Sequence, residues 1–321
     1  MQTGLKELMK QGWERFFLLL QALHCWGFRD QILRRLLKPP IVKSPQETLD
    51  HILSHPCSVS RFGDGEMKLI GGRSIPFQRK SSFVRKKLRE SLSSDEPGHI
   101  VCVLELFPNV RFTDEVNAFL CHHFGKYRRL WYKHMKKGKI YYNALITRPY
   151  LPVKDRSKCG QWFNQVKQIW NGRDVVFIEG AQSRLGVGND LFDNAKSIRR
   201  ILAPAQNAFD VYDALLQEAC KIEKGVLLLL ALGPCASALA LDLHKMGYQA
   251  IDIGHIDVEY EWFRMGTTKK MPIKNKFVNE ARTFHEDDER PDAHDPYYAQ
   301  IIADLSCHPA TPRGGRKGQE V

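Results

Sequence analysis

The segment "GVLLLLALGPCASALALDLHKMGYQAIDIG" (residues 225–254) decides the fold. It contains an apolar strand, a Gly-Pro turn, an alanine-rich helix that ends at Gly247, and a second apolar strand. A strand, a helix and a returning strand form the right-handed crossover unit of a parallel sheet. The free amide groups of a helix that follows such a glycine turn point toward anions. The segment therefore predicts one half of a Rossmann-like fold.

Further candidate strands precede this unit. Most are continuous apolar runs without strict alternation, which is typical of strands covered on both faces. Helical stretches lie between them, so we expect an α/β fold with a mostly parallel sheet flanked by helices. These earlier strands are predicted at residues 57–63, 99–106, 139–147, 174–180 and 199–203.

The domain organisation follows from composition along the chain. Residues 1–40 have apolar residues at helical spacing and predict an amphipathic N-terminal extension, which packs on protein or lies on a membrane surface. A proline-rich break leads to Ser44, and Glu47 three residues later predicts a capped helix. We expect the main domain at residues 41–290 and a partly disordered tail at residues 291–321.

The charge of the chain favours acidic partners. The 321 residues carry 48 Lys and Arg against 36 Asp and Glu, a formal net charge of +12. Three basic clusters, at residues 77–90, 125–139 and 267–276, hold many of the cations. Each cluster is either a solvated face or a surface for nucleic acid, anionic lipid or a phosphorylated molecule.

The cysteines indicate a reducing compartment. All eight are scattered, and no pair has the C-x-x-C spacing of a zinc or redox site. We expect reduced thiols in a cytoplasmic protein, with peripheral contact to the inner membrane face through the basic clusters as an option.

Two carboxylates follow the first predicted strand in "SVSRFGDGEMKLIGG" (residues 58–72). In an extended chain, residues two apart project to the same side, so Asp64 and Glu66 can converge on a hard cation such as Mg²⁺ or Mn²⁺. A solvated surface loop is the alternative. A second pair with this spacing, Asp257 and Glu259, follows the last strand of the crossover unit.

The stretch "EGAQSRLGVGNDLFDNAKSIRRI" (residues 179–201) has the features of a phosphate-binding loop. Gly186 and Gly188 permit tight turns, Asn189 or the next residue can cap a following helix, and Arg184 offers a fork that matches phosphate oxygens. It is neither a Walker A sequence nor a dinucleotide fingerprint. An ordinary capped loop is the alternative.

His255 is a candidate general base, because imidazole titrates near neutral pH. It follows a predicted strand, and Asp257 and Glu259 crowd the same corner. A structural histidine is the alternative.

Four long blocks together resemble the GT-D-type glycosyltransferases, a bacterial family first catalogued as a domain of unknown function. The resemblance implies a Rossmann-like, metal-dependent transferase that builds glycans on surface adhesins from a nucleotide sugar, typically a UDP-hexose. The D-x-E metal motif of the family falls on Asp64 and Glu66, which would hold Mn²⁺ or Mg²⁺ against the diphosphate. The blocks are residues 61–78, 146–150, 179–213 and 229–263.

The same resemblance implies roles for other residues. Arg61 would contact phosphate, and two loops would line the nucleotide site. The reaction centre would contain His255, Asp257 and Glu259. The expected reaction moves a hexose, with glucose favoured, from a UDP-sugar to a glycan or glycoprotein acceptor. The loop residues are Arg184, Gly186, Gly188, Asn189, Gly233 and Pro234.

Parts of the sequence are compatible with two other functions. A non-catalytic basic module would bind nucleic acid or a phosphorylated glycan through aromatic residues among the cations, Tyr127, Trp131 and Tyr132. The ordered carboxylates argue against it, because acidic residues repel phosphate unless a cation intervenes, so no nucleic acid is expected. A dinucleotide-dependent oxidoreductase is disfavoured since no G-x-G-x-x-G follows a predicted strand. Homo-oligomer formation stays open.

Overall fold

The computed structural model describes residue 36, residues 39–107 and 109–274, residues 276 and 278, and residues 296–307. The amphipathic helix predicted in the N-terminal extension lies outside these residues. Nine strands are described: β1 (Ile41–Val42), β2 (Ser58–Phe62), β3 (His99–Val103), β4 (Ile140–Asn143), β5 (Asp174–Gly180), β6 (Ser197–Ala203), β7 (Leu227–Ala231), β8 (Gln249–Asp252) and β9 (Ile301–Asp304).

The nine strands form one sheet in the order β1-β4-β3-β2-β8-β7-β5-β6-β9, and every neighbouring pair is parallel. The predicted mostly parallel α/β sheet is therefore confirmed. Nearly every residue of β3 and β7 is buried, which explains why both strands are apolar runs in the sequence. Helices cover both faces of such a sheet.

The described helices are α1 (Pro45–Ser54), α2 (Asp64–Ile70), α3 (Ser82–Leu92), α4 (Asp114–His134), α5 (Cys159–Val166), α6 (Tyr212–Ala219), α7 (Pro234–Lys245), α8 (Ile256–Arg264) and α9 (Pro296–Ala299). None of these helices is both long and apolar enough to cross a membrane. The capping box predicted at the start of α1 is present: Ser44 Oγ accepts from the Glu47 amide, and the Glu47 carboxylate accepts from the Ser44 amide.

The crossover unit β7-α7-β8 forms as its sequence predicts. Gly233 has φ +54 and precedes Pro234 at the first position of α7. The alanine-rich face of α7 is buried, because small side chains let the helix approach the sheet closely. Gly247, at φ +83, follows the helix end.

Two edge strands were not predicted. Strand β1 has only two residues, and Ile41 in it is 62% exposed. Strand β9 alternates between half-buried and exposed residues, and it pairs with β6 inside the segment expected to be a tail. Short strands with one neighbour bury too little surface to leave a continuous apolar run in the sequence. None of the seven described cysteines is in a disulfide, and five of them are buried.

The chain leaves the neighbouring strands β2 and β8 in opposite directions along the sheet. After β2 it continues to β3 on one side, and after β8 it reaches β9 at the far edge of the other side. Open parallel sheets bind their ligands at the carboxyl ends of strands where the order reverses in this way. The site is therefore expected at the carboxyl ends of β2 and β8.

Candidate active site

Asp64 and Glu66 follow β2 directly, but they lie in a helix. Helix α2 begins at Asp64, and Glu66 accepts a 2.7 Å hydrogen bond from the Gly63 amide. At 3.6 residues per turn, side chains two positions apart point about 200° apart. The expectation that an extended chain brings both side chains to one side is therefore wrong. Asp64 Oδ2 instead lies 2.5 Å from Lys68 Nζ, one helical turn later.

A third carboxylate, Asp252, lies nearby and was not identified from the sequence. It is the last residue of β8 and is 3% exposed. Burial raises the pKa of Glu66 to about 7, and repulsion from Asp252 and Asp64 adds to this rise. Burial also raises the pKa of Asp252, although Arg61 opposes it. Asp64 is 36% exposed, but its charge also acts on Glu66, so three acidic groups share one region, which favours a cation beside them.

The donor atoms of this region suit a hard divalent cation, because carboxylate oxygens are the ligands that Mg²⁺ and Mn²⁺ prefer. Within the part of the chain that the structure describes, no group of three or more His, Cys, Asp or Glu could form a complete metal cage. Mg²⁺ is usually held by one or two carboxylates together with substrate phosphates. Because their side chains diverge on α2, Asp64 and Glu66 can share such a site only when both turn toward the cation, with Asp64 exchanging Lys68 for it.

Arg61 is occupied by acceptors of the protein itself. Its Nε and Nη2 donate to the carbonyl and carboxylate of Asp252 at 3.0 and 3.1 Å, and its Nη1 donates to the Ala144 carbonyl at 3.0 Å. A Cβ at Gly254, which has φ +47, would lie 1.5 Å from Arg61 Nη2. The guanidinium therefore fills the space beside Gly254 and positions Asp252. This arrangement gives no support to the predicted phosphate contact of Arg61.

The loop after β5 differs from its prediction. Residues 181–196 form turns that lead into β6, so the helix expected after Asn189 is wrong. Asn189 Oδ1 instead accepts from the Leu191 amide at 3.0 Å, as in an Asx turn. Gly186 and Gly188 have φ of +72 and +81, which confirms the predicted tight turns.

A buried ion pair holds the start of this loop. Arg200 Nη1 lies 2.5 Å from Glu179 Oε1, and both groups also bond the backbone of Leu185. The Arg184 guanidinium stacks on the ring of Tyr297, with 5.1 Å from its carbon to the ring centre. The buried ion pair thus fixes the loop backbone at Leu185. A phosphate contact of Arg184 stays a prediction.

The Gly-Pro turn lies at the carboxyl end of β7, beside β8. A Cβ at Gly233 would lie 2.9 Å from the ring of Phe77, so glycine is required there for space as well as for its positive φ. Pro234 occupies the first turn of α7, where no intrahelical acceptor exists for its missing N–H. The turn therefore presents the start of α7 at the same sheet edge as the carboxylates.

The three groups expected at the reaction centre lie at the start of α8. His255 occupies the position before the first helical residue and is partly exposed. Asp257 is 1% exposed and accepts from Lys276 Nζ at 2.6 Å, Asn189 Nδ2 at 2.7 Å and the Gly186 amide at 3.1 Å. Asp257 therefore ties α8 to the glycine loop.

Glu259, like Asp257, is buried and bonded to other groups of the protein. It is 0% exposed, its Oε2 accepts from the amides of Tyr150 and Leu151 at 3.1 and 3.0 Å, and Arg148 lies 3.8 Å from its Oε1. These contacts argue against Asp257 and Glu259 as proton acceptors for a substrate, because both are engaged inside the protein. His255 is the member of the three that has solvent access.

Some residues of the basic clusters are buried in the structure. Lys276, from the third cluster, is 3% exposed and lies 3.7 Å from Glu261 as well as beside Asp257. In the second cluster, Trp131 is fully buried and its Nε1 donates to His123 at 2.9 Å. Since a buried ring cannot stack on bases, Trp131 does not support the nucleic-acid alternative.

Comparisons with known proteins agree with this architecture. The chain matches the family described as "Glycosyltransferase GT-D fold" over residues 59–281. It is 36% identical over 294 residues to a probable glycosyl transferase Gly of Streptococcus gordonii, covering 90% of this chain and 42% of the relative. It is 38% identical over 278 residues to the glycosyltransferase GlyD of Streptococcus pneumoniae serotype 4 (strain ATCC BAA-334 / TIGR4), covering 85% of this chain and 34% of the relative. The chain thus spans less than half the length of these two relatives.

Solved structures with a similar fold are also glycosyltransferases by their descriptions. A glycosyltransferase of domain of unknown function 1792 from Streptococcus sanguinis superposes with a TM-score of 0.76 at 37% identity, covering 83% of this chain and 99% of that one. A second structure, described as domain of unknown function 1792 with a distinct glycosyltransferase fold, superposes with a TM-score of 0.76 at 39% identity, covering 83% of this chain and 95% of that one.

Proposed function

Because the chain belongs to the GT-D-fold glycosyltransferase family, we propose that it moves a hexose, glucose being the expected sugar, from a UDP-sugar to a glycan or glycoprotein acceptor with Mn²⁺ or Mg²⁺ bound. The observation that carries the proposal is the group of carboxylates Asp64, Glu66 and Asp252 at the carboxyl ends of two central strands. Acidic groups repel a diphosphate, so their position at a ligand edge is explained when a cation lies between.

Each residue then has a defined task. Asp64 and Glu66 would hold the cation, which when bound stabilises the charge on the departing diphosphate. The amide groups at the start of α7, beyond Gly233, point to the same edge and favour an anion. Arg61 keeps Asp252 in position through two hydrogen bonds, and its third hydrogen bond goes to the Ala144 carbonyl.

His255 would accept the proton of the acceptor hydroxyl, because it is the one of the three candidates that is partly exposed to solvent. Replacing it with glutamine should remove the acidic limb of the pH–rate profile. A profile of unchanged shape in His255→Gln would assign the base elsewhere.

The cation role is tested by Asp64→Asn and Glu66→Gln, which remove one charge each at nearly constant volume. We expect turnover of a UDP-sugar in Mn²⁺ to fall by about 10²–10³-fold in either variant, as for the loss of one electrostatic stabiliser of a transition state. Asp50→Asn is the matched control, because Asp50 is an exposed carboxylate of α1. Wild-type turnover in both site variants, with their folding unchanged, would refute the proposed cation site.

A further inference from the structure

Two of the three basic clusters meet in one cavity. Helix α3 and the end of α4 line a cavity of about 570 Å³ that is open to solvent. Arg85, Lys86 and Arg89 come from the cluster at residues 77–90, and Lys133 and His134 come from the cluster at residues 125–139. Their separation in sequence exceeds forty residues, so only the fold brings these side chains together.

The cavity has a positive potential. Four of its side chains are cations, and the single carboxylate that lines it, Glu90, lies 3.8 Å from Lys86 at the rim. Burial lowers the pKa of His134, and Arg89, Lys133 and Arg85 lower it further by repulsion. The imidazole is therefore neutral at pH 7 and adds no charge, while the four cations attract an anion.

The two arginines are held in place at the cavity wall. Arg85 Nε and Arg89 Nη2 each donate to the Ile70 carbonyl at 3.3 Å, at the end of α2. Arg89 Nε and His134 Nε2 are buried and have no hydrogen-bond partner among the described residues. A buried polar atom without a partner is unfavourable, and an anion whose oxygens reached such groups would supply the missing partner.

We propose that this cavity binds the phosphate group of a ligand. Arginine forks match phosphate oxygens, and lysine ammonium groups add point charges around them. The site differs from the carboxylate region, because the two lie at opposite ends of α2, about 9 Å apart along a seven-residue helix. It needs neither a divalent ion nor a nucleotide, so it stands independently of the proposed transfer reaction. A soluble phosphate ester and a phospholipid headgroup share this chemistry.

The test uses the full chain at low salt with EDTA, titrated with inorganic phosphate and with pyrophosphate. Calorimetry gives the affinity, and the NMR signals of the His134 imidazole report where the anion binds. Lys86→Gln/Lys133→Gln removes two exposed cations of the cavity and should weaken binding at least tenfold. Arg85→Gln, tested for folding by thermal unfolding, should act in the same direction.

Lys154→Gln/Lys196→Gln is the matched control, since it removes the same charge from exposed residues that do not line the cavity. An equal loss in both double variants would show a non-specific charge effect and overturn the proposal. Loss of phosphate binding in Asp64→Asn, with full binding in Lys86→Gln/Lys133→Gln, would place the anion at the carboxylate region and also overturn it.

Flotation with vesicles distinguishes the two sources of the phosphate group, a soluble phosphate ester and a phospholipid headgroup. Vesicles of phosphatidylcholine alone are compared with vesicles that also contain phosphatidylglycerol. Binding only to the anionic vesicles that is lost in Lys86→Gln/Lys133→Gln identifies a lipid headgroup. Phosphate binding by the wild type, together with equal flotation of wild type and variant, identifies a soluble phosphate ester.

Discussion

Gly254→Ala should be far more destabilising than an ordinary glycine substitution. Gly254 has φ +47, where an alanine costs roughly 1–2 kcal/mol of backbone strain. Its new Cβ would also lie 1.5 Å from Arg61 Nη2, so the guanidinium has to move. Movement weakens three hydrogen bonds to Asp252 and Ala144, and bonds of a charged donor contribute about 1.5–3 kcal/mol each. If half of that is lost, the total including the strain is roughly 3–6 kcal/mol.

Gly247→Ala is the matched control, because Gly247 has φ +83 and nothing lies within 4 Å of a Cβ built there. It should cost only the strain of about 1–2 kcal/mol. Urea unfolding followed by the fluorescence of the six tryptophans measures both variants. In an Arg61→Ala background the cost of Gly254→Ala should fall to that of Gly247→Ala. Equal costs for the two glycine variants in the wild-type background would refute the reasoning.

Two further predictions concern buried charges. The folded pKa of Glu66, about 7, lies above its usual 4.5, so the metal-free protein should lose stability as the pH rises from 4.5 to 7. Glu66→Gln should reduce this loss. Urea unfolding in EDTA across this pH range measures the free energy of unfolding, and the same dependence on pH in wild type and variant would contradict the prediction. Lys276→Met leaves the carboxylate of Asp257 buried without its cation and should cost about 3–5 kcal/mol. Thermal unfolding and proteolysis of the glycine loop measure this loss of stability. The double variant Lys276→Met/Asp257→Asn should recover part of it. A double variant that is no more stable than Lys276→Met would exclude the ion pair as the cause.

The sheet was predictable because most of its strands are buried on both faces. Strand β5 (Asp174–Gly180) has the predicted bounds, since six of its seven residues are buried and leave an apolar run. Strands β1 and β9 lie at the two edges, where partial exposure removes that signal. Edge strands depend on pairing with a distant segment, and a single sequence does not show that pairing.

The position of the candidate carboxylates relative to the sheet was predictable from the sequence, but their geometry was not. Asp64 and Glu66 lie at the expected strand end, yet Gly63 and Glu66 form half of a capping box, so a helix replaces the extended turn. That pattern was present in the sequence and signals a helix start. Asp252 was missed because one acidic residue at the end of an apolar strand has no distinctive spacing. The contact of Lys276 with Asp257 joins distant segments and leaves no local pattern.

Glu66 has a structural contact that any test of a cation role has to preserve. Its carboxylate accepts from the Gly63 amide at the start of α2, where negative charge is also favoured by the helix dipole at about 0.3–1 kcal/mol. Alanine at position 66 would remove the acceptor and the charge together, so a loss of activity would have two explanations. Glutamine keeps an oxygen that can accept from Gly63 and removes only the charge. A loss of Mn²⁺-dependent turnover in Glu66→Gln, with helix α2 intact, is therefore explained by the missing charge alone.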